Sequence, residues 1–369
     1  MKFICEKNAL ANAISVASRT VCQKSSIAAL EGILLKAEDR LYLTGYNLET
    51  GITVQLDAEI TSAGDCVMPA RLFFDIIRKL PDDFVTVEVD DKYKVSIKGG
   101  VSSFTIMASS AEDFPDLPQL NEASAVRIPE NALRELIGGT IFAVSENQAR
   151  PIHTGCLVEV SDDTVTMVAV DGFRLALRKE KLEHPAGGIF SFVAPGTALN
   201  EVEKVCEDID ELLKITLGDR HILFEVGDTE LICRRLEGEF LDYKNAIPRK
   251  NGIVLTVDTK AMTESLERVS VVISEKLKSP VRCLFGQDMV TFSARTTNGE
   301  AKDVCRLAGN GKELEIGFNN RYLSDALRYA PAETVRLELN TGISPAIIVP
   351  AGDGEENFLY MVLPVRLKA

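Results

Sequence analysis

Histidine is scarce in this 369-residue chain: there are three, His153, His184 and His221, far apart in sequence. The eight cysteines are just as dispersed, and the nearest two are Cys5 and Cys22. No C-x-x-C occurs, so neither zinc nor a redox dithiol has its ligand spacing, and eight reduced thiols are expected. The chain also lacks G-x-x-x-x-G-K-[ST], a G-x-G-x-x-G after a strand, G-x-S-x-G and H-E-x-x-H. Adjacent acids in "PDDF", "AEDF" and "EDIDEL" read as solvated turns and helix ends. Nothing here asks for a catalytic centre, a metal or a cofactor. No apolar run approaches the ~18–20 residues of a membrane span. Lys2, Glu6 and Lys7 interrupt the N-terminal stretch, so no secretory signal is read and a cytoplasmic location is expected.

What the chain does have is a composition of 46% hydrophobic and 26% charged residues, that of a folded globular protein. Its length exceeds one ordinary core, so two or three domains are expected. Net charge is −14, which on its face speaks against nucleic acid as a partner.

The chain also repeats itself. "MKFICEKNALANAISVASRTV", "AVRIPENALRELIGGTIFAVS" and "GIVLTVDTKAMTESLERVSVVIS" each read as a strand, a polar turn and a helix. The helical faces are Leu10, Ile14, Ala17 and Val21; then Leu133, Ile137, Ile141 and Val144; then Met262, Leu266, Val269 and Val272. A second trio, "VMPARLFFDIIRKLPDDFVTVEV", "FVAPGTALNEVEKVCEDIDELLKITL" and "IGFNNRYLSDALRYAPAETVRLEL", follows with strand, helix, strand. Both trios recur at intervals of about 120–130 residues, the period of a structural repeat. The expectation is α+β: three modules at 1–122, 123–251 and 252–369, each with two helices on one face of antiparallel sheet. The polar, proline-bearing "DFPDLPQLNEAS" and "IPRKNG" are the connectors.

One copy departs from the others. The hairpin between the two helices bends at Asn47-Leu48-Glu49 in the first module and Asn298-Gly299-Glu300 in the third, each with an acid just after the turn. The middle module bends at Asp171-Gly172-Phe173 and runs into Arg174-Leu175. Either Phe173 and Leu175 are core strand residues beside a solvated Arg174, or they wall a surface pocket in which Arg174 orients a bound segment. The C-terminal "NFLYMVLPVRLKA" poses a related question, because Pro364 must end a strand while Leu367 remains available to pack. Its composition favours a docked tail over a disordered one.

"VMPARLFFDIIRKLP", "AEDFP", "VDGFRLA" and the terminal "YMVLPVRL", in this order over essentially the whole chain, resemble the bacterial DNA sliding clamp, the beta subunit of the replicative DNA polymerase III. The resemblance implies a head-to-tail homodimer whose six modules ring duplex DNA, with helices lining the hole and no chemistry of its own. Residence on DNA would then be topological, phosphate contacts could stay weak, and only the lining need be basic, which removes the charge objection. It implies DNA-facing residues Lys24, Arg71, Arg78, Lys79, Asn147, Gln148 and Arg150. "APGTALNE" lacks the basic residue that many family members carry there, and Gly138-Gly139 costs the second module's first helix about 1 kcal/mol per glycine.

The resemblance further implies a groove taking a short linear motif from the polymerase and from other replication and repair proteins. Carried onto this chain, its walls are Val170, Gly172, Phe173, Arg174, Leu175, Ala246, Met361, Leu363, Pro364, Val365, Arg366 and Leu367. His153, Leu241 and Asn245 stand where the family more often has an apolar residue, a proline and an arginine. Lys368-Ala369 extends past the usual final leucine. For the seam between subunits it implies Phe104 and Ile106 against Val271 and Val272, and it implies a separate ATP-driven clamp loader. The alternative is a peptide-binding scaffold of the same fold that does not encircle DNA.

Overall fold

The structure, a computed structural model, describes residues 1–120, 124–161, 163–183, 189–273, 279–352 and 356–367. His184 and Lys368-Ala369, singled out in the sequence, lie outside the described residues. Seven helices are present among them: α1 (Lys7–Ala17), α2 (Ala70–Lys79), α3 (Glu130–Gly138), α4 (Gly196–Val205), α5 (Tyr243–Ala246), α6 (Thr259–Ser270) and α7 (Asn320–Arg328). Apart from the single turn of α5, they are the two helices per repeat that the sequence predicts. None among the described residues is long and apolar enough to cross a membrane.

Amphipathicity and side-chain caps account for these helices. In α2, Phe73, Ile76 and Ile77 are buried while Arg71, Leu72, Arg78 and Lys79 stay exposed. Glu6, Asp258 and Asn319 cap α1, α6 and α7 by accepting hydrogen bonds from first-turn amides. The first helix of each repeat stops earlier than its apolar pattern suggests, and Val21, Ile141, Val144 and Val272 fall beyond the α-helical ends. The ends share one feature: a hydroxyl returns to the carbonyl four residues back, a local bond that bends and slightly destabilises a helix. Ser18 bonds Ile14 at 2.6 Å, Thr140 bonds Leu136 at 2.7 Å and Ser270 bonds Leu266 at 2.5 Å.

Two compact units emerge, one of Met1–Asn131 with Asn200–Arg235, the other of Ala132–Leu199 with the chain from Leu236 onward. The first unit holds a five-stranded sheet in the order Glu59–Ser62, Lys2–Glu6, Phe84–Val89, Lys94–Gly99, Ser102–Met107. It also holds an eight-stranded sheet to which both the first and second repeats contribute. These halves join where Thr229–Arg234 pairs antiparallel with Thr50–Leu56.

The second unit has the same plan. A nine-stranded sheet joins the second and third repeats where Arg174–Lys181 pairs antiparallel with Phe358–Val362. A five-stranded sheet runs Gly299–Arg306, Met289–Thr296, Val281–Phe285, Leu314–Phe318, Pro364–Val365. Sharing of sheets between repeats is not something the repeat pattern foretells, because the joining strands lie far apart in sequence. Within each unit helices pack in pairs, α1 on α2 and α6 on α7.

Candidate functional site: the 171–174 turn and the docked tail

At the junction strand of the second unit the chain turns tightly. Asp171 Oδ1 accepts the amides of Phe173 (2.8 Å) and Arg174 (3.0 Å). Gly172 sits at φ +91°, which favours glycine, and a Cβ there would meet nothing. The turn throws Phe173 outward, 60% exposed, where its ring lies 6.2 Å from that of Tyr322 at an angle of 21°.

Arg174 goes the other way. Its side chain is 7% exposed, with Nε donating to Asp171 (3.0 Å) and Nη1 to Asp325 (2.6 Å). The guanidinium lies over the Tyr322 ring at 4.5 Å and near Phe142 at 5.6 Å. Nε and Nη1 are thus held by two carboxylates, which fixes the guanidinium between the turn and α7 beside Phe173 and Tyr322. Asp171, Phe173, Arg174, Tyr322 and Asp325 edge a cavity of about 810 Å³. Burial, then the Asp171 charge, raises the pKa of the Tyr322 hydroxyl.

Three other expected wall residues, Val170, Leu175 and Met361, are buried in a cluster with Leu157, Leu177 and Tyr243. They form a floor rather than open walls, and Ile152, Leu236, Phe240 and Ile247 pack half-buried against it. His153 meets Phe240 edge-on at 5.6 Å, and burial, with Arg150 second, lowers its pKa. Leu241 is 43% exposed and Ala246 is exposed. The Asn245 side-chain amide is held by Asp242 at 2.7 Å, which also caps α5. The Tyr243 hydroxyl donates to Glu159.

The tail crosses from one sheet to another. After Val362 leaves the nine-stranded sheet, the Leu363 amide donates to the Phe173 carbonyl at 2.9 Å. Pro364 and Val365 then pair with Phe318 and Gly317 at the edge of the five-stranded sheet, where a proline is tolerated. Leu367 closes over Gly317: a Cβ on that glycine would stand 2.5 Å from Leu367 Cδ2. Arg366 stays exposed. Gly317→Ala is therefore expected to lift the tail, at a cost of about 1–3 kcal/mol for overpacking. Hydrogen exchange checks this: the Val365 amide should exchange faster while those of Phe358–Val362 stay protected. Unchanged exchange at Val365 would mean that Leu367 does not hold the tail.

The expected DNA-facing residues lie in separate units. Lys24, Arg71, Arg78 and Lys79 are exposed in the first, and Asn147, Gln148 and Arg150 in the second. Arg78 lies over the Phe74 ring at 5.5 Å. Lys24, Arg71, Arg78, Lys79 and Arg150 form no ion pair among the described residues, whereas Arg19, Arg40, Lys204 and Lys214 do. Phe104 is 39% exposed and Ile106 half-buried on an edge strand, and Val271, just past α6, is 83% exposed. Val272 is half-buried, its carbonyl accepting from Thr296 at 2.8 Å.

Sequence reading missed Asp325 and Tyr322, although their spacing of three on α7 was a signal for one shared face. It read the hairpin that bends at Asn298-Gly299-Glu300 but not the edge position of its second strand, Gly299–Arg306, on which Val304 is 52% exposed.

Three family models of the DNA polymerase III beta subunit match the chain in order: its N-terminal domain at residues 1–118, central domain at 127–242 and C-terminal domain at 244–366. The chain belongs to this family. The beta sliding clamp of Synechocystis is 31% identical over 100% of both chains. A solved DNA polymerase sliding clamp from Bacillus subtilis superposes with a TM-score of 0.93 at 29% identity, covering 100% of each chain. A Pseudomonas aeruginosa sliding clamp solved with griselimycin bound gives a TM-score of 0.92 at 28% identity over 100% of each. Membership makes this clamp-family chain a non-catalytic processivity factor of the replicative polymerase. Among the described residues no group of three His, Cys, Asp or Glu could hold a metal.

Proposed function

We propose that two copies close head to tail into a ring around duplex DNA, and that the groove at Phe173 and the docked tail takes a short motif from the polymerase, the clamp loader and other replication and repair proteins. The observation that carries ring closure is a matched pair of open edges. Each five-stranded sheet ends in an edge strand with apolar side chains in solvent: Phe104 and Met107 on Ser102–Met107, Val304 on Gly299–Arg306. Open edges of this kind invite pairing with another chain. A strand from the partner would satisfy the backbone and cover Val271 beside it.

The griselimycin-bound relative supports the groove reading, as does the chemistry here. Buried Val170, Leu175 and Met361 make an apolar floor, and exposed Phe173, Val365 and Arg366 stand at its rim. Lys24, Arg71, Arg78, Lys79 and Arg150, without an ion pair among the described residues, suit weak, sequence-independent phosphate contacts. The proposed module limits are 1–122, 123–251 and 252–369.

The test is retention on DNA after loading onto nicked circles with a clamp loader and ATP. The protein should co-elute with circles at moderate salt and be lost after one cut. Equal retention on circular and linear DNA would sink topological linkage. Retention on neither, with a working loader, would favour a scaffold that binds partners without encircling DNA.

A further inference from the structure

The first unit contains a close copy of the 171–174 turn with different chemistry. Asn47 Oδ1 accepts the amides of Glu49 (3.0 Å) and Thr50 (2.7 Å), as Asp171 does for Phe173 and Arg174. Leu48, at φ +73°, takes the left-handed place of Gly172, a conformation costly for a leucine. The Glu49 carbonyl accepts from the Arg234 amide at 3.2 Å, as that of Phe173 does from Leu363. Thr50 pairs with Cys233 as Arg174 pairs with Val362. Arg234 and Arg235 thus stand where the second unit has Leu363 and Pro364.

A third arginine joins them. The Arg235 amide donates to the Arg220 carbonyl at 2.9 Å, and His221 lies directly opposite Arg234 in the sheet. The side chains of Arg220, Arg234 and Arg235 have no ion-pair or hydrogen-bond partner among the described residues, and Arg235 Nε is buried without one. The chain carries 55 acidic residues against 41 basic, so three neighbouring arginines without a carboxylate run against its composition. Glu49 and Asp219 are close in sequence, but both are exposed and neither bridges to them. The cluster's field is felt by His221, whose pKa is lowered by burial and then by Arg234 and Arg220. A buried guanidinium nitrogen without an acceptor is costly, and the exposed Arg220 and Arg234 beside it are free to take a carboxylate. Leu48, 53% exposed, precedes Glu49, whose carbonyl holds the Arg234 amide, and offers an apolar side chain to solvent there.

We propose that Arg220, Arg234 and Arg235, with Leu48, form a second docking site for a partner peptide that carries acidic residues next to an apolar one. The choice of a peptide over another anion rests on the motif-groove reading, since the turn that frames this site is the one assigned there to a peptide. The carboxylates would pair with the guanidiniums, and the apolar side chain would lie on Leu48.

The experiment measures fluorescence anisotropy of a labelled peptide of alternating glutamate and leucine on the full-length protein at low salt. Arg220→Ser with Arg234→Ser, both exposed positions, should weaken binding by about tenfold or more. Leu48→Ser should weaken it less, and Phe173→Ala should leave it unchanged. Absence of binding, or unchanged affinity in the double-arginine variant, would overturn the proposal. Loss only on Phe173→Ala would place the peptide in the motif groove, and more effective competition by a duplex oligonucleotide than by unlabelled peptide would make the cluster a nucleic-acid contact; either overturns it. Failure of the motif-groove reading would show separately, as partner-motif binding that Phe173→Ala does not alter.

Discussion

Arg174→Ala is expected to destabilise the second unit by about 3–5 kcal/mol, the cost of breaking a buried ion pair by removing one partner. Arg174 is 7% exposed and its two acids, Asp171 and Asp325, are 10% and 16% exposed, so water screens little of what remains. Removing the guanidinium leaves two carboxylates facing each other across the space it filled, and strips Tyr322 and Phe142 of the cation over their rings. Lysine should restore little. Its single ammonium cannot present the fork that reaches Asp171 and Asp325 from different nitrogens. In calorimetry the unfolding transition of this unit should fall by roughly 6–20 °C, using the scaling for a domain of this size. A drop worth less than about 1 kcal/mol would show that solvent already screens the pair, as at a surface site. Arg174→Leu combined with Asp171→Asn and Asp325→Leu should recover much of the loss, because an apolar replacement removes the uncompensated charge. Partner binding should weaken with stability, since the arginine holds the turn that presents Phe173. The Phe173→Ala variant separates the two effects: the ring is 60% exposed, so its removal should spare stability.

The fate of Arg174 shows where sequence reasoning stops. Its type and its place after a tight turn were legible, because Asp171-Gly172-Phe173 breaks the pattern of the other two repeats. Its direction was not. Asp325 is 151 positions away, and only the packing of α7 brings its carboxylate to 2.6 Å. The helices were legible for the opposite reason: a stripe such as Phe73, Ile76 and Ile77 is local, and burial follows its period. Their ends were less so, since Val21 and Val144 continue the apolar stripe although α1 and α3 stop at Ala17 and Gly138. Membership of the eight- and nine-stranded sheets was illegible, because pairing such as Thr50↔Cys233 joins strands from different repeats. The tail was half legible. Pro364 foretold the break, whereas the docking of Leu367 depended on Gly317, a glycine with no local signature.

A carboxylate on the open edge of the first sheet should abolish the dimer. Phe104→Asp or Ile106→Asp places a charge where the proposed seam brings a partner strand and its apolar side chains together. Phe104 and Val304 are already 39% and 52% exposed in the single chain, so the fold should tolerate polar residues at Phe104 and Val304. Ile106 is half-buried and is the less safe choice on that ground. In a head-to-tail pair each chain gives one edge of each kind, so one substitution strikes both seams. At about 3 kcal/mol for an uncompensated charge in each, dissociation should strengthen by roughly 10,000-fold. Light scattering on a sizing column should then report the 40.4 kDa chain mass where the unaltered protein gives twice that. Val304→Asp should do the same from the other edge, and an equimolar mixture of Phe104→Asp and Val304→Asp gives the sharper test. Each variant keeps one intact edge, so mixed pairs can restore one seam while the other meets two carboxylates. A single restored seam cannot close a ring, so the mixture should form weak pairs that fail to stay on circular DNA. Dimers that persist in both variants would mean that these edges are not the seam, however well their exposure suits it.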